Sequence, residues 1–278
     1  MRLNGLDFHV EREGSGRPLL MLHGFTGSAR TWAEVRPALA AHATVICVDL
    51  IGHGHSAKPA EAARYSLDWS TRDLVALLDR LELDAVDLLG YSMGGRVALQ
   101  LALQAPARVS TLILESASAG IEDGSERRRR IHTDATLAER IVDEGIPAFV
   151  AEWERLPLLA LAPHVAEVDR ARLTSMRLGN NPLGLANSLR GMGAGQQTPL
   201  WPLLPQLKQR VLLVVGERDT RYRQVAQRMR SLLPAAELAV VPDAGHTTHI
   251  DQPRAFVSLL EQALGQTPAS AAPACATN

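Results

Sequence analysis

One short stretch limits the fold more than any other. The apolar run Ala85-Val86-Asp87-Leu88-Leu89-Gly90 ends in Gly90-Tyr91-Ser92-Met93-Gly94, and the chain passes at once into Arg96-Val97-Ala98-Leu99-Gln100-Leu101-Ala102, a helical pattern closed by Pro106. A buried strand, a turn of form Gly-x-Ser-x-Gly and an immediate helix make a nucleophile elbow. The turn is sharp, and Gly90 and Gly94 let neighbouring backbone approach closely. The serine then faces the unpaired N–H groups at the start of the helix, which favour an anion. A pentapeptide of this form can fall on any tight turn by chance. The strand before it and the helix after it favour the elbow.

The rest of the chain repeats the strand-and-helix alternation. Leu19-Leu20-Met21-Leu22 and Thr44-Val45-Ile46-Cys47-Val48-Asp49 read as buried parallel strands, and further strands are expected at Ser110 to Glu115, Arg210 to Gly216 and Glu237 to Pro242. Helical patterns lie between them, as at Leu67 to Leu81 and Arg221 to Leu233. Alternation of this kind implies right-handed crossovers and a mainly parallel, doubly wound sheet with helices on both faces. From Ser118 to Gly193 the alternation stops. That interval holds only helical stretches, separated by Gly145, Pro147, Pro157, Pro163 and Gly179. A structureless loop of that length is implausible in a compact domain, so it is expected to be a helical cap over the C-terminal edge of the sheet. The expected organisation is a core of residues 1–117 and 194–264, a cap of residues 118–193, and a disordered Ala/Pro tail at 265–278.

The serine needs a base and an acid, expected in the chain order Ser, acid, His. Asp219 follows the strand at 210–216 in Gly216-Glu217-Arg218-Asp219, and His246 follows the next strand in Asp243-Ala244-Gly245-His246. Both fall on loops at the edge that carries Ser92. Alone, a loop Asp is usually a turn former and a loop His a surface residue; here each stands at the right strand end. His249 competes as base but lies one helical turn on. Asp243 competes as acid but stands too close to His246. The backbone N–H groups of Phe25, in His23-Gly24-Phe25, and of Met93 are the expected oxyanion donors.

Composition narrows the partner. The 278 residues carry 29 basic and 30 acidic side chains, a net charge of −1, which gives no global field for nucleic acid or an anionic membrane. No apolar run is long enough to span a bilayer, and Met1 to Glu13 is mixed in charge, unlike a signal peptide. Cys47 and Cys275 are distant in sequence, so a disulfide is not expected and a reducing cytoplasm is. Arginines nevertheless concentrate around the cap: Arg96 one turn beyond Ser92, the run Arg127-Arg128-Arg129-Arg130, and Arg177. Some of that run must be a solvated helix face. Separate guanidinium forks near a serine still favour a small polyanionic substrate over a neutral lipid or simple ester.

The sequence resembles the 2-succinyl-6-hydroxy-2,4-cyclohexadiene-1-carboxylate synthases of menaquinone biosynthesis, members of the α/β-hydrolase superfamily. The similarity runs from about Leu19 to Leu264. It is carried by Gly90-Tyr91-Ser92-Met93-Gly94-Gly95-Arg96, Glu126-Arg127-Arg128-Arg129-Arg130, Phe149-Val150-Ala151-Glu152-Trp153, the segment from Gly184 to Gly193, and Gly216-Glu217-Arg218-Asp219. The resemblance implies an α/β-hydrolase fold and a lyase needing neither cofactor nor metal. It implies elimination of pyruvate from 2-succinyl-5-enolpyruvyl-6-hydroxy-3-cyclohexene-1-carboxylate. It puts Ser92, Asp219 and His246 in the triad, with Tyr91, Arg96, Arg130, Trp153 and Arg177 lining the site. Arg130 is preferred to Arg127 within the four-arginine run. Two alternatives stay open on the residues alone: a serine hydrolase of small acidic esters or C–C bonds, and a non-catalytic receptor on the same fold.

Overall fold

The computed structural model describes residues 1–265. Strands β1 (Arg2–Leu3) and β2 (Leu6–Asp7) make a small antiparallel hairpin around Asn4 and Gly5, both at positive φ. An Asn-Gly pair suits such a two-residue turn. Seven strands form the main sheet: β3 (Val10–Glu13), β4 (Arg17–Leu22), β5 (Ala43–Val48), β6 (Val86–Tyr91), β7 (Val109–Glu115), β8 (Arg210–Gly216) and β9 (Ala236–Val241). They lie in the order β3-β5-β4-β6-β7-β8-β9, all parallel except β3, which runs against β5 with Val10 opposite Val48.

The two faces of the sheet can be read off alternate residues. Leu20, Leu22, Ile46, Val48, Leu88, Leu112, Leu114, Leu213 and Val215 fall in one buried cluster. Leu19, Met21, Val45, Cys47, Leu89, Tyr91, Ile113, Leu212 and Val214 fall in the other. The first is covered by α2 (Leu67–Arg80), α3 (Met93–Gln104) and α7 (Thr220–Leu232), the second by α1 (Arg36–Ala40) and α9 (Pro253–Gly265). Burial on both sides is why the central strands are almost wholly apolar. The edge strand β3 leaves no apolar mark on the sequence, because Val10-Glu11-Arg12-Glu13 is mostly charged; a charged edge discourages pairing with another chain.

Between β7 and β8 the chain forms α4 (Gly124–Trp153), α5 (Glu167–Leu178) and α6 (Pro182–Met192), with no strand. Asp123 caps α4 by accepting the Glu126 N–H at 2.7 Å, so the arginine run lies in its first two turns. Gly145, at φ 82°, kinks α4 two residues before Pro147. Ala138, Ile141, Ile146, Phe149 and Val150 of α4 pack with Leu185, Ala186 and Leu189 of α6 in a third apolar cluster. Helix α8 (Thr248–Asp251) is a single turn just after His246. The tail expected at 265–278 lies outside the described residues apart from Gly265, which ends α9. Cys275 lies there too.

Candidate active site

The elbow joins β6 to α3. Ser92 sits at φ 51°, ψ −107°, a conformation that costs a non-glycine residue about 1–3 kcal/mol and persists only where the surroundings impose it. The surroundings are tight. A Cβ at Gly94 would stand 2.3 Å from the Leu22 carbonyl oxygen, and one at Gly90 would stand 2.5 Å from the Gly94 carbonyl oxygen. Both neighbours are backbone and cannot swing away. The Ser92 N–H donates to the Glu115 carbonyl at 2.8 Å, which ties the turn to β7.

Asp219 and His246 meet Ser92 there. Asp219 Oδ2 lies 2.7 Å from His246 Nδ1, and His246 Nε2 lies 3.1 Å from Ser92 Oγ. Asp219 also caps α7, its Oδ1 accepting the Tyr222 N–H at 3.1 Å. Asp219 and His246 are both buried, and such a pair holds the imidazole with Nε2 toward the serine. The competitors are elsewhere. His249 Nδ1 is 2.8 Å from the buried Glu115 carboxylate, with its ring between Trp32, Tyr91 and Phe256. Asp243 is an exposed turn residue at φ 54°.

Phe25 packs edge-on against His53, Phe149 and Trp153. The amides of Phe25 and Met93 enter none of the turn, loop or cap hydrogen bonds of the described residues, and Met93 opens α3. The Tyr91 ring stacks 5.5 Å from His246, with its hydroxyl 3.0 Å from Thr247 Oγ1. Burial raises the Tyr91 pKa, so the phenol stays neutral.

A cavity of about 120 Å³ opens over Ser92 and His246, lined among others by Phe25, Tyr91, Arg96, Arg130, Trp153 and Tyr222. It shares Arg130, Asp134, Leu137, Trp153, Leu156 and Leu158 with an outer groove of about 540 Å³ under α4. Each arginine is already held by the protein. Arg96 donates to the Met192 carbonyl at 2.7 Å, and Arg130 to Asp134 Oδ1 at 2.8 Å. Burial lowers the Arg96 pKa to about 10, which still leaves a cation at neutral pH. Burial also raises the Asp134 pKa, against the pull of Arg130.

Arg177 departs from expectation. It is 7% exposed and lines not the Ser92 cavity but an adjoining pocket that shares Phe25, Tyr91 and Trp153 with it. Arg177 donates to Glu154 Oε1 at 2.9 Å, while its Nε is buried without a partner. Arg127 does not line the cavity, and Arg128 and Arg129 face solvent. Among the described residues one group, His9, Asp49 and His55, brings possible metal-ligand atoms within 4.8 Å of one another; none of the three lines the cavity.

A family model described as the alpha/beta hydrolase fold matches residues 17–253. A Bacillus subtilis relative that carries the name 2-succinyl-6-hydroxy-2,4-cyclohexadiene-1-carboxylate synthase is 41% identical over 94% of this chain and 96% of its own. The chain belongs to this synthase family. The Escherichia coli O1:K1 synthase of the same name is 32% identical, across 88% of this chain and 93% of its own. The structure of MenH from S. aureus superposes with a TM-score of 0.89 at 31% identity, covering 94% of this chain and 98% of that one.

In this synthase-family chain several site residues escaped sequence reasoning. Tyr222 packs its ring 4.6 Å from that of His246. Asp134 and Glu154 hold two of the arginines, and Leu156, Leu158 and Leu159 wall the cavity from the connection after α4. A partial signal existed for two of them. Asp134 stands four residues after Arg130, a helical pairing distance, and Tyr222 stands three after Asp219, where the capped amide must lie. Glu154 and the leucines had none.

Proposed function

We propose that this chain eliminates pyruvate from 2-succinyl-5-enolpyruvyl-6-hydroxy-3-cyclohexene-1-carboxylate, giving 2-succinyl-6-hydroxy-2,4-cyclohexadiene-1-carboxylate in menaquinone biosynthesis. One observation carries the reading: an aligned serine, histidine and aspartate open into a cavity whose walls hold two arginines. Ser92 gives its proton to His246 Nε2 and takes the proton beside the succinyl ketone. The electron pair left behind forms an enolate whose oxygen faces the Phe25 and Met93 amides. Its collapse expels the enolpyruvyl oxygen, which leaves as pyruvate after protonation, and a second ring double bond results. No water is consumed and no acyl-enzyme forms. The carboxylates of this polyanion suit Arg96 and Arg130, with Arg177 reached from the adjoining pocket.

The same reading sets the enzyme in the reducing cytoplasm, with no need of nucleic acid, membrane, metal or cofactor. Cys47 is a buried thiol whose pKa burial pushes up to about 12, and no helix among the described residues is long and apolar enough to cross a membrane. The test is pyruvate release from the enolpyruvyl substrate by the wild type and by Ser92→Ala, run in ¹⁸O-water. Release that depends on Ser92 without ¹⁸O uptake into any product carboxylate supports the elimination. Uptake of ¹⁸O into a product carboxylate would make the chain a hydrolase of acidic esters or C–C bonds.

A further inference from the structure

Asp251, the last residue of α8, is 1% exposed and takes no part in the chemistry described above. Its two oxygens point to different parts of the molecule. Oδ2 accepts the N–H of Gly245 at 2.6 Å, the amide directly before His246. Oδ1 accepts the N–H of Ala162 at 2.7 Å, in the connection between α4 and α5. That connection carries Leu156, Leu158 and Leu159 over the cavity. His164, two residues beyond Ala162, places Nε2 2.7 Å from the Asp251 carbonyl oxygen. Arg218, whose own N–H donates to the Ala244 carbonyl at 2.9 Å, brings its guanidinium 3.5 Å from Oδ2.

We infer that Asp251 is a positioning residue that makes the seating of the cap connection felt at His246. A buried carboxylate needs its hydrogen bonds, and a charged one left short of a partner costs more than the bond is worth. When the connection is seated, Ala162 and Gly245 together satisfy both oxygens, and the loop carrying His246 is held at the residue just before it. When it lifts, Oδ1 loses its donor, and the carboxylate is free to turn away from Gly245. His246 then keeps Asp219 and its ring contacts with Tyr91 and Tyr222, but the backbone just before it has lost its anchor. Arg170 on α5 braces the cap side of this link, its guanidinium donating to the Ala162 carbonyl at 2.5 Å and the Val165 carbonyl at 3.1 Å. So the segment that walls the cavity and the loop that carries the base meet on one side chain.

The inference rests on the proposed elimination only for its natural substrate, and the test keeps the two apart. Two readouts are taken on the full chain: steady-state pyruvate release, and the rate at which a fluorophosphonate probe labels Ser92, which needs an aligned His246 but no particular substrate. Asn at 251 offers one acceptor where two amides require one each. Asp251→Asn should therefore lower kcat and raise KM together and slow labelling, with kcat/KM down about 10- to 100-fold, the size expected when a distant change misplaces a reacting group. Arg170→Ala loosens the cap side alone; it should move both readouts the same way by less, and add little to Asp251→Asn. On a His246→Ala background Asp251→Asn should cost nothing further, because its effect runs through His246. Thermal melts set the assay temperature below each variant's transition. Wild-type kcat, KM and labelling in Asp251→Asn would overturn the inference, as would losses that add to those of His246→Ala. If Asp251→Asn fails to fold, wild-type values in Arg170→Ala overturn it. Normal labelling of the wild type without pyruvate release would sink the functional reading while the labelling comparison still judged Asp251.

Discussion

The sheet edge and the cap hold their charged groups in different ways. At the edge, Ser92, His246 and Asp219 are bound to one another and to the backbone of β7 and α7, with every link inside the core layer. Around the cap side of the cavity each guanidinium rests on an acceptor of the protein: Arg130 on Asp134, Arg177 on Glu154, and Arg96, which α3 supplies, on the Met192 carbonyl where α6 ends. The difference teaches where rigidity is spent. Proton transfer needs a base fixed within hydrogen-bond reach, whereas binding the polyanion we propose would need cations that stay paired until it arrives. An unpaired buried charge would cost too much to keep.

The comparison breaks first at the triad. Ser92→Ala and His246→Ala should each lose about 10²- to 10⁴-fold in kcat, the usual worth of a positioned base. The double variant should be little worse than either, since the two act as one unit. Steady-state kinetics check both statements, and additive losses would show that Ser92 and His246 work separately.

The cap's own packing comes next. Phe149, buried at 4% exposure among Ile146, Val150 and Leu185, should cost about 3–5 kcal/mol on change to alanine. Denaturant unfolding measures it. A loss below about 1 kcal/mol would mean that the site collapses onto itself and that the cap lacks a rigid core.

The arginines sharpen the contrast. Arg96→Ala, Arg130→Ala and Arg177→Ala should each cost about 10- to 150-fold in kcat/KM, the equivalent of one charged hydrogen bond of about 1.5–3 kcal/mol. Lysine at these positions should restore only part, because it lacks the planar fork. Arg128→Ala and Arg129→Ala, which face solvent, should leave kcat/KM near wild type. Equal small effects at all five would mean that Arg96, Arg130 and Arg177 hold no substrate carboxylate.

The smallest expected effect lies at the mouth of the cap. Asp123→Ala removes the side-chain cap of α4 and should cost about 0.5–2 kcal/mol of stability. Because Asp123 is exposed and lines no part of the cavity over Ser92, Ser92 labelling should be unchanged. A matching loss of labelling would show that the two regions are not separable.

What the sequence determined by itself was local and backbone-driven. Apolar runs of strand length could be buried only between two helix layers, and they appear as β4 to β8. The glycines of the elbow were legible because a Cβ at Gly90 or Gly94 has nowhere to go. Asp219 and His246 were legible because each follows a strand whose end must lie at the edge that carries Ser92. The tertiary structure decided the rest. Only the packing of α8 beneath the site gives His249 to Glu115 and His246 to Ser92, although the two histidines stand three residues apart. Only tertiary packing turns Arg177 onto Glu154, sets Tyr222 against His246, and lays the leucine connection over the cavity. The physical reason is range. Strand, turn and cap preferences act over a few neighbouring residues and mark the sequence directly. A side chain's partner across a loop depends on how separate elements come to rest against one another, and no spacing along the chain encodes that.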